Sequence, residues 1–94
     1  MEIIWQPSAT EDLENARHYI AQVNPTAATR IFDTIRAVVR GLAGSPLSGH
    51  PGRAEGTREM VVPHTPYLIV YAVIDDNLVV LAVPHHSQDW PGTF

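Results

Sequence analysis

Between Arg58 and His86 the chain carries three apolar runs separated by two short breaks, and no other feature restricts its fold as much. The runs are Arg58 to Val62, Tyr67 to Ile74 and Leu78 to Val83. Val, Ile, Leu and Tyr dominate them, and these side chains suit a pleated, packed surface. Pro63 to Pro66 breaks the first run from the second, and Asp75-Asp76-Asn77 turns the second into the third. Parallel neighbours need a long crossover, so three strands joined this tightly are expected to pair antiparallel. The run Tyr67 to Ile74 is apolar at every position, which predicts a strand inside the sheet with both faces covered. The first half of the chain is expected to supply the cover.

That half opens with a short strand, Glu2 to Gln6, ended by Pro7. Ser8-Ala9-Thr10-Glu11 fits a capping box, with Ser8 capping a first helix and Glu11 reaching back. The helix runs to about Gln22; Leu13, Ala16, Ile20 and Val23 recur at helical spacing, with Tyr19 beside them. Glu11, Asp12 and Glu14 fall in its first turns, where the helix dipole favours negative charge. Asn24 can cap a second helix that has Pro25 at its first position. This helix runs from about Pro25 to Ala43 with Gly44 as a C-cap. Its apolar face is Ala28, Ile31, Phe32, Ile35, Val38, Val39 and Leu42, the best periodic signal in the chain. Arg30, Asp33, Arg36 and Arg40 lie on the other side. The connection between the helices is very short, so they form an antiparallel hairpin. Ser45 to Thr57 reads as loop, rich in Pro and Gly. The order is β-α-α-β-β-β: a single α+β domain over residues 1–94, with the helical hairpin packed on one face of a mainly antiparallel sheet.

Ninety-four residues bury one modest core and leave few to spare for a separate site. The absence of cysteine excludes a disulfide framework, a thiolate metal site and a thiol nucleophile. No apolar stretch reaches the roughly 18 residues of a membrane span, and the N-terminus lacks a basic leader, so a cytoplasmic protein is expected. The net charge is −4 and all six cations are arginines. Nucleic-acid backbone binding draws on surplus positive charge, and this chain has the opposite sign.

Several pieces together resemble the RelE/ParE superfamily of toxins from type II toxin–antitoxin pairs, ParE most closely. They are the element order, the strand Pro66-Tyr67-Leu68-Ile69-Val70-Tyr71, Asn24-Pro25-Thr-Ala-Ala at the second helix, and Gly49-His50-Pro51-Gly52-Arg53 in the loop. Gly56-Thr57-Arg58-Glu59 enters the sheet, and His85, Gln88 and Trp90-Pro91 complete the set. The resemblance implies a toxin that binds DNA gyrase, with no cofactor and no catalytic residue. It also implies a ParD-like or other small DNA-binding antitoxin whose C-terminal segment folds on the toxin. The alternative within the superfamily is a RelE- or YoeB-like endonuclease that cuts mRNA on the ribosome. Metal-free RNA cleavage needs a base, an acid and cations at the phosphate. The positions where RelE-like enzymes place basic residues fall here on Glu59, Val61 and Leu68. A minimal catalytic set of Arg58, His85 and His86 remains under that reading. A third reading is an inactive relative that still binds antitoxin.

The surface bets for antitoxin or target are Arg36, Arg40, Arg58, His85 and Trp90. Each has a plainer reading. Arg58 can pair with Glu55, Glu59 or Asp89. His85 and His86 should alternate across a strand end, one packed and one in solvent. Arg36 and Arg40 are the wet face of the second helix, and Trp90 can plug the chain end. Tyr67 and Tyr71 share a strand face and are read as core rather than as a base-stacking platform. A metal site from His64, His85, His86 and Asp89 is not expected, because adjacent histidines converge poorly.

Overall fold

Leu68–Ile74, apolar throughout, becomes the middle strand of a five-stranded sheet in the computed structural model, which describes residues 1–86. In chain order the elements are β1 (Glu2–Trp5), α1 (Pro7–Ala21), α2 (Pro25–Gly44), β2 (His50–Pro51), β3 (Arg58–Val61), β4 (Leu68–Ile74) and β5 (Asn77–Ala82). The sheet order is β1-β5-β4-β3-β2. Only β1 and β5 run parallel; the helical hairpin carries the chain from β1 to β2 at the opposite edge, and the other neighbours are antiparallel. The expected architecture is therefore present, with one addition. Two residues inside the Pro- and Gly-rich loop, His50 and Pro51, pair with Glu59 and Arg58 as a fifth strand.

The hairpin of helices covers one face of the sheet. Ala9, Leu13 and Ala16 of α1 and Ile35, Val39 and Leu42 of α2 meet Ile69, Tyr71, Leu78 and Val80. Each Val, Leu or Ile buried this way contributes roughly 1.5–3 kcal/mol. The helices do not cover the second face of β4, contrary to the expectation that the first half of the chain closes both sides. There Val70, Ala72, Val79, Leu81 and Ala82 form a separate buried cluster. A register shift makes this possible. Val70 pairs with Ala82 while Tyr71 pairs with Val80, so Leu81 is an extra residue. Such a bulge lets two consecutive side chains join one cluster.

Four local expectations change. Gln6, not Ser8, precedes the first helical residue, and no side chain caps α1. Pro7 occupies its first turn, and the Ser8 hydroxyl donates to the Leu81 carbonyl at 2.8 Å, joining helix to sheet. Tyr19 and Val23 are 71% and 87% exposed. At about 100° per residue Tyr19 lies a quarter turn from the Ala9–Leu13–Ala16 stripe, and Val23 follows the last turn of α1. α2 extends through Gly44 and ends on Ser45, whose N–H donates to Gly41 and Leu42 carbonyls. Its start is as expected: Asn24 accepts from the Ala27 N–H at 3.1 Å. The β4–β5 turn is tighter than expected, since Asn77 already belongs to β5 and Asp75 and Asp76 alone reverse the chain. Both have positive φ, 50° and 63°.

Candidate functional site

Arg58 and Tyr71 are paired across β3 and β4 on the helix-side face, beyond the end of α2. There they fasten the loop that leaves α2. The Tyr71 hydroxyl donates to the Pro46 carbonyl at 2.6 Å and accepts from the Gly49 N–H at 3.0 Å. The Arg58 guanidinium donates to the Gly49 carbonyl at 2.8 and 3.0 Å and to the Leu47 carbonyl at 3.3 Å. Among the described residues it makes no ion pair. Glu59, one of the three partners suggested for it, points to the opposite face, is 2% exposed, and takes the Arg53 N–H at 2.9 Å and the Arg53 guanidinium at 3.5 Å. Gly49 fits only as glycine: a Cβ there would lie 2.6 Å from the Tyr71 hydroxyl and 2.8 Å from the Glu59 carbonyl.

His85 lies elsewhere. It bridges to Tyr67, four residues before Tyr71 on β4, and its ring meets the Tyr67 ring edge-on at 5.6 Å. Four strand residues span ~13 Å, and Arg58 and His85 flank β4 on opposite sides, so their backbones stand roughly 16 Å apart. The set Arg58, His85 and His86 is therefore not gathered at one point. The two histidines do not take opposite sides either. Strand alternation stops at Ala82, and their rings lie 4.9 Å apart and tilted by 30°. His86 is exposed and its N–H donates to the Pro66 carbonyl at 2.7 Å. Glu59, Val61 and Leu68 share the sheet face away from the helices, opposite to Arg58. Trp90, with Gln88, Asp89 and Pro91, lies outside the described residues. Among the described residues no group of three or more His, Asp or Glu could hold a metal.

Arg36 and Arg40 sit one turn apart on α2 where it crosses the edge strand β1. With Ile3, Trp5 and Val39 they line a cleft of about 160 Å³. The Arg36 guanidinium lies 5.6 Å from the centre of the Phe32 ring, and Arg17 lies 5.4 Å from the same ring. Arg40 has no hydrogen bond or ion pair among the described residues. Among the described residues β1 has one strand neighbour, β5, and no strand on its other edge, and Ile4 is 41% exposed.

A larger cleft, about 370 Å³, separates α1 from the end of the sheet and was not anticipated. Asp12, Asn15, Ala16 and Tyr19 line one wall, and Tyr67, Val83 and His85 the other. Asp12 accepts the Val83 N–H at 2.9 Å through one carboxylate oxygen. Burial, and next the neighbouring Tyr19 phenol, push the Tyr67 hydroxyl above the ordinary tyrosine value of 10.0. The spacing Asp12, Asn15, Tyr19 along one flank of the first helix is the signal that could have revealed this wall.

Residues 3–90 match the family described as the ParE toxin of the type II toxin–antitoxin system parDE. The protein named "Putative toxin Y4kP" of Sinorhizobium fredii is 39% identical over 89 residues, covering 95% of this chain and 92% of that one. The fold is similar to that of the chromosomal ParDE system of P. aeruginosa, with a TM-score of 0.80 and 22% identity over 90% of this chain and 95% of that one. It is also similar to the YoeB–YefM complex of Staphylococcus aureus, with a TM-score of 0.63 and 19% identity over 92% and 97% of the two chains.

Proposed function

We propose that this chain, which belongs to the ParE toxin family of type II toxin–antitoxin systems, acts by binding DNA gyrase and is held inactive by a cognate antitoxin. The family match across residues 3–90 is the observation that carries the reading. Two features of the chain support binding over chemistry of its own. The one arginine of the minimal nuclease set is committed to the Gly49 and Leu47 carbonyls. The backbone of His85 stands roughly 16 Å away by strand geometry. A ribonuclease must bring a base, an acid and a cation to one phosphate.

The antitoxin segment is placed on β1 and the adjoining turn of α2. An extended segment can add to the open β1 edge through backbone hydrogen bonds. Acidic side chains on that segment would meet Arg36 and Arg40, whose like charges one turn apart otherwise repel slightly.

The test is a DNA supercoiling reaction with gyrase, run beside translation of a reporter message. Loss of supercoiling with an intact message supports the gyrase reading. Codon-spaced cuts in the message that disappear in His86→Ala overturn it. Tight antitoxin binding with neither reaction affected favours an inactive relative. For the antitoxin surface, Arg36→Ala/Arg40→Ala should weaken the complex by at least about tenfold, from two charge-assisted contacts; unchanged affinity sinks that placement.

A further inference from the structure

We propose that the cleft between α1 and the Tyr67–His85 bridge receives an arginine side chain presented by a partner protein. Three observations point to a cation. Among the described residues, the second carboxylate oxygen of Asp12 has no hydrogen-bond partner, and neither does the side chain of Asn15. Tyr67 is 7% exposed, yet its hydroxyl makes no protein hydrogen bond among those residues. Tyr19 is 71% exposed and contributes a free aromatic face instead of core packing. An unmet carboxylate oxygen, a buried hydroxyl and an amide oxygen are all acceptors. A guanidinium carries five N–H donors in a planar fork and stacks on aromatic rings. Arginine over a tyrosine face gains about 0.5–1 kcal/mol when exposed and more when desolvated.

Other occupants fit worse. Phosphate or carboxylate would meet the Asp12 carboxylate on the cleft wall and be repelled. An apolar side chain would leave the Asp12 oxygen and the Tyr67 hydroxyl without partners in a drier environment. Lysine matches the charge but not the planar stacking.

Charge also separates this cleft from the α2 surface. α1 carries Glu11, Asp12 and Glu14 against Arg17, which is paired with Glu14 at 2.6 Å. α2 carries Arg30, Arg36 and Arg40 against Asp33. The two helices therefore select segments of opposite sign, and the cleft belongs to the basic one. The inference does not depend on which target the toxin has.

The test is a titration of the full, isotope-labelled chain followed by amide NMR. The probe is a blocked Gly-Arg-Gly peptide, and the control carries citrulline, which keeps the shape and loses the charge. Arginine should give saturable shifts at Ala16, Tyr19 and Val83, and citrulline none. Tyr19→Ala, at an exposed position, and Asp12→Asn, which keeps an oxygen for the Val83 N–H, should each weaken binding by roughly threefold to fivefold. Equal responses to the two peptides overturn the proposal. So do shifts centred on α2, no shifts at all, or affinity unchanged by both substitutions.

Discussion

Tyr67 and Tyr71 occupy the same face of the central sheet region, and removing the hydroxyl from each should have very different consequences. Tyr71 is fully buried, and its hydroxyl satisfies both the Pro46 carbonyl and the Gly49 N–H. Tyr71→Phe keeps the ring and strands both groups. The Gly49 N–H is buried, so its loss costs about 1–3 kcal/mol; the half-buried Pro46 carbonyl can reach water and costs about 0.5–1.5 kcal/mol. The expected destabilisation is ~1.5–4.5 kcal/mol, which lowers Tm by roughly 6–36 °C in a domain of this size. Tyr67→Phe removes a hydroxyl with no protein partner among the described residues and should change stability by less than about 0.5 kcal/mol. The assay is thermal unfolding of the isolated chain by circular dichroism, without antitoxin, because a bound partner would raise Tm by mass action. Exchange of the Gly49 amide gives a local readout, and its protection should fall in Tyr71→Phe alone. A Tm loss under about 4 °C for Tyr71→Phe would refute the reasoning, as would an equal loss for Tyr67→Phe. Arg58→Ala acts on the same loop through the Gly49 carbonyl. Its effect should therefore be non-additive with Tyr71→Phe by more than about 0.5 kcal/mol.

Asp75→Asn/Asp76→Gly would give the β4–β5 turn the residues that favour two successive positive φ angles, and should stabilise the protein by about 1 kcal/mol in urea unfolding. Ser8→Ala should lose about 0.5–1.5 kcal/mol because it breaks the bond to the Leu81 carbonyl; an unchanged urea midpoint would argue against that bond. Burial raises the Tyr67 hydroxyl in the folded state, so the folded protein holds that proton more tightly than the unfolded chain. Stability should therefore fall as pH rises above 10.0, the unfolded value, and through the folded one. The fall should be shallower in Tyr67→Phe.

The elements that could be read from the residues are those whose pattern is fixed by burial. α2 announces itself through Ile35, Val39 and Leu42 at helical spacing, and all three are buried. β4 is apolar at every position and lies in the middle of the sheet. What escaped is what depends on a partner distant in sequence. Ser8 reads as a cap from its neighbours, but its hydroxyl finds Leu81, 73 residues away. His50 and Pro51 look like loop because proline is a poor strand residue, yet a sheet edge tolerates it. Arg58 looks free on its strand until the loop from α2 folds back over it. The cleft at Asp12 and Tyr67 joins residues 55 positions apart, and no local rule brings them together. The bulge at Leu81 likewise arises from pairing and leaves no mark in the composition of β5.

The proline in β2 limits how the sheet can grow. On that side the outermost strand is only two residues long, and Pro51 has no N–H to offer a further neighbour. Only Met60 and Val61 of β3 extend past it. At the other side β1 presents four residues with no further strand beside them among the described residues. A sheet that accepts strands at both edges can chain copy to copy without end; one with a single usable edge can only close. β1 can pair with the β1 of a second copy about a two-fold axis, or with one strand from another protein, and the two arrangements draw on the same hydrogen bonds. Pairing through β1 uses one edge of each molecule and so closes at the second molecule.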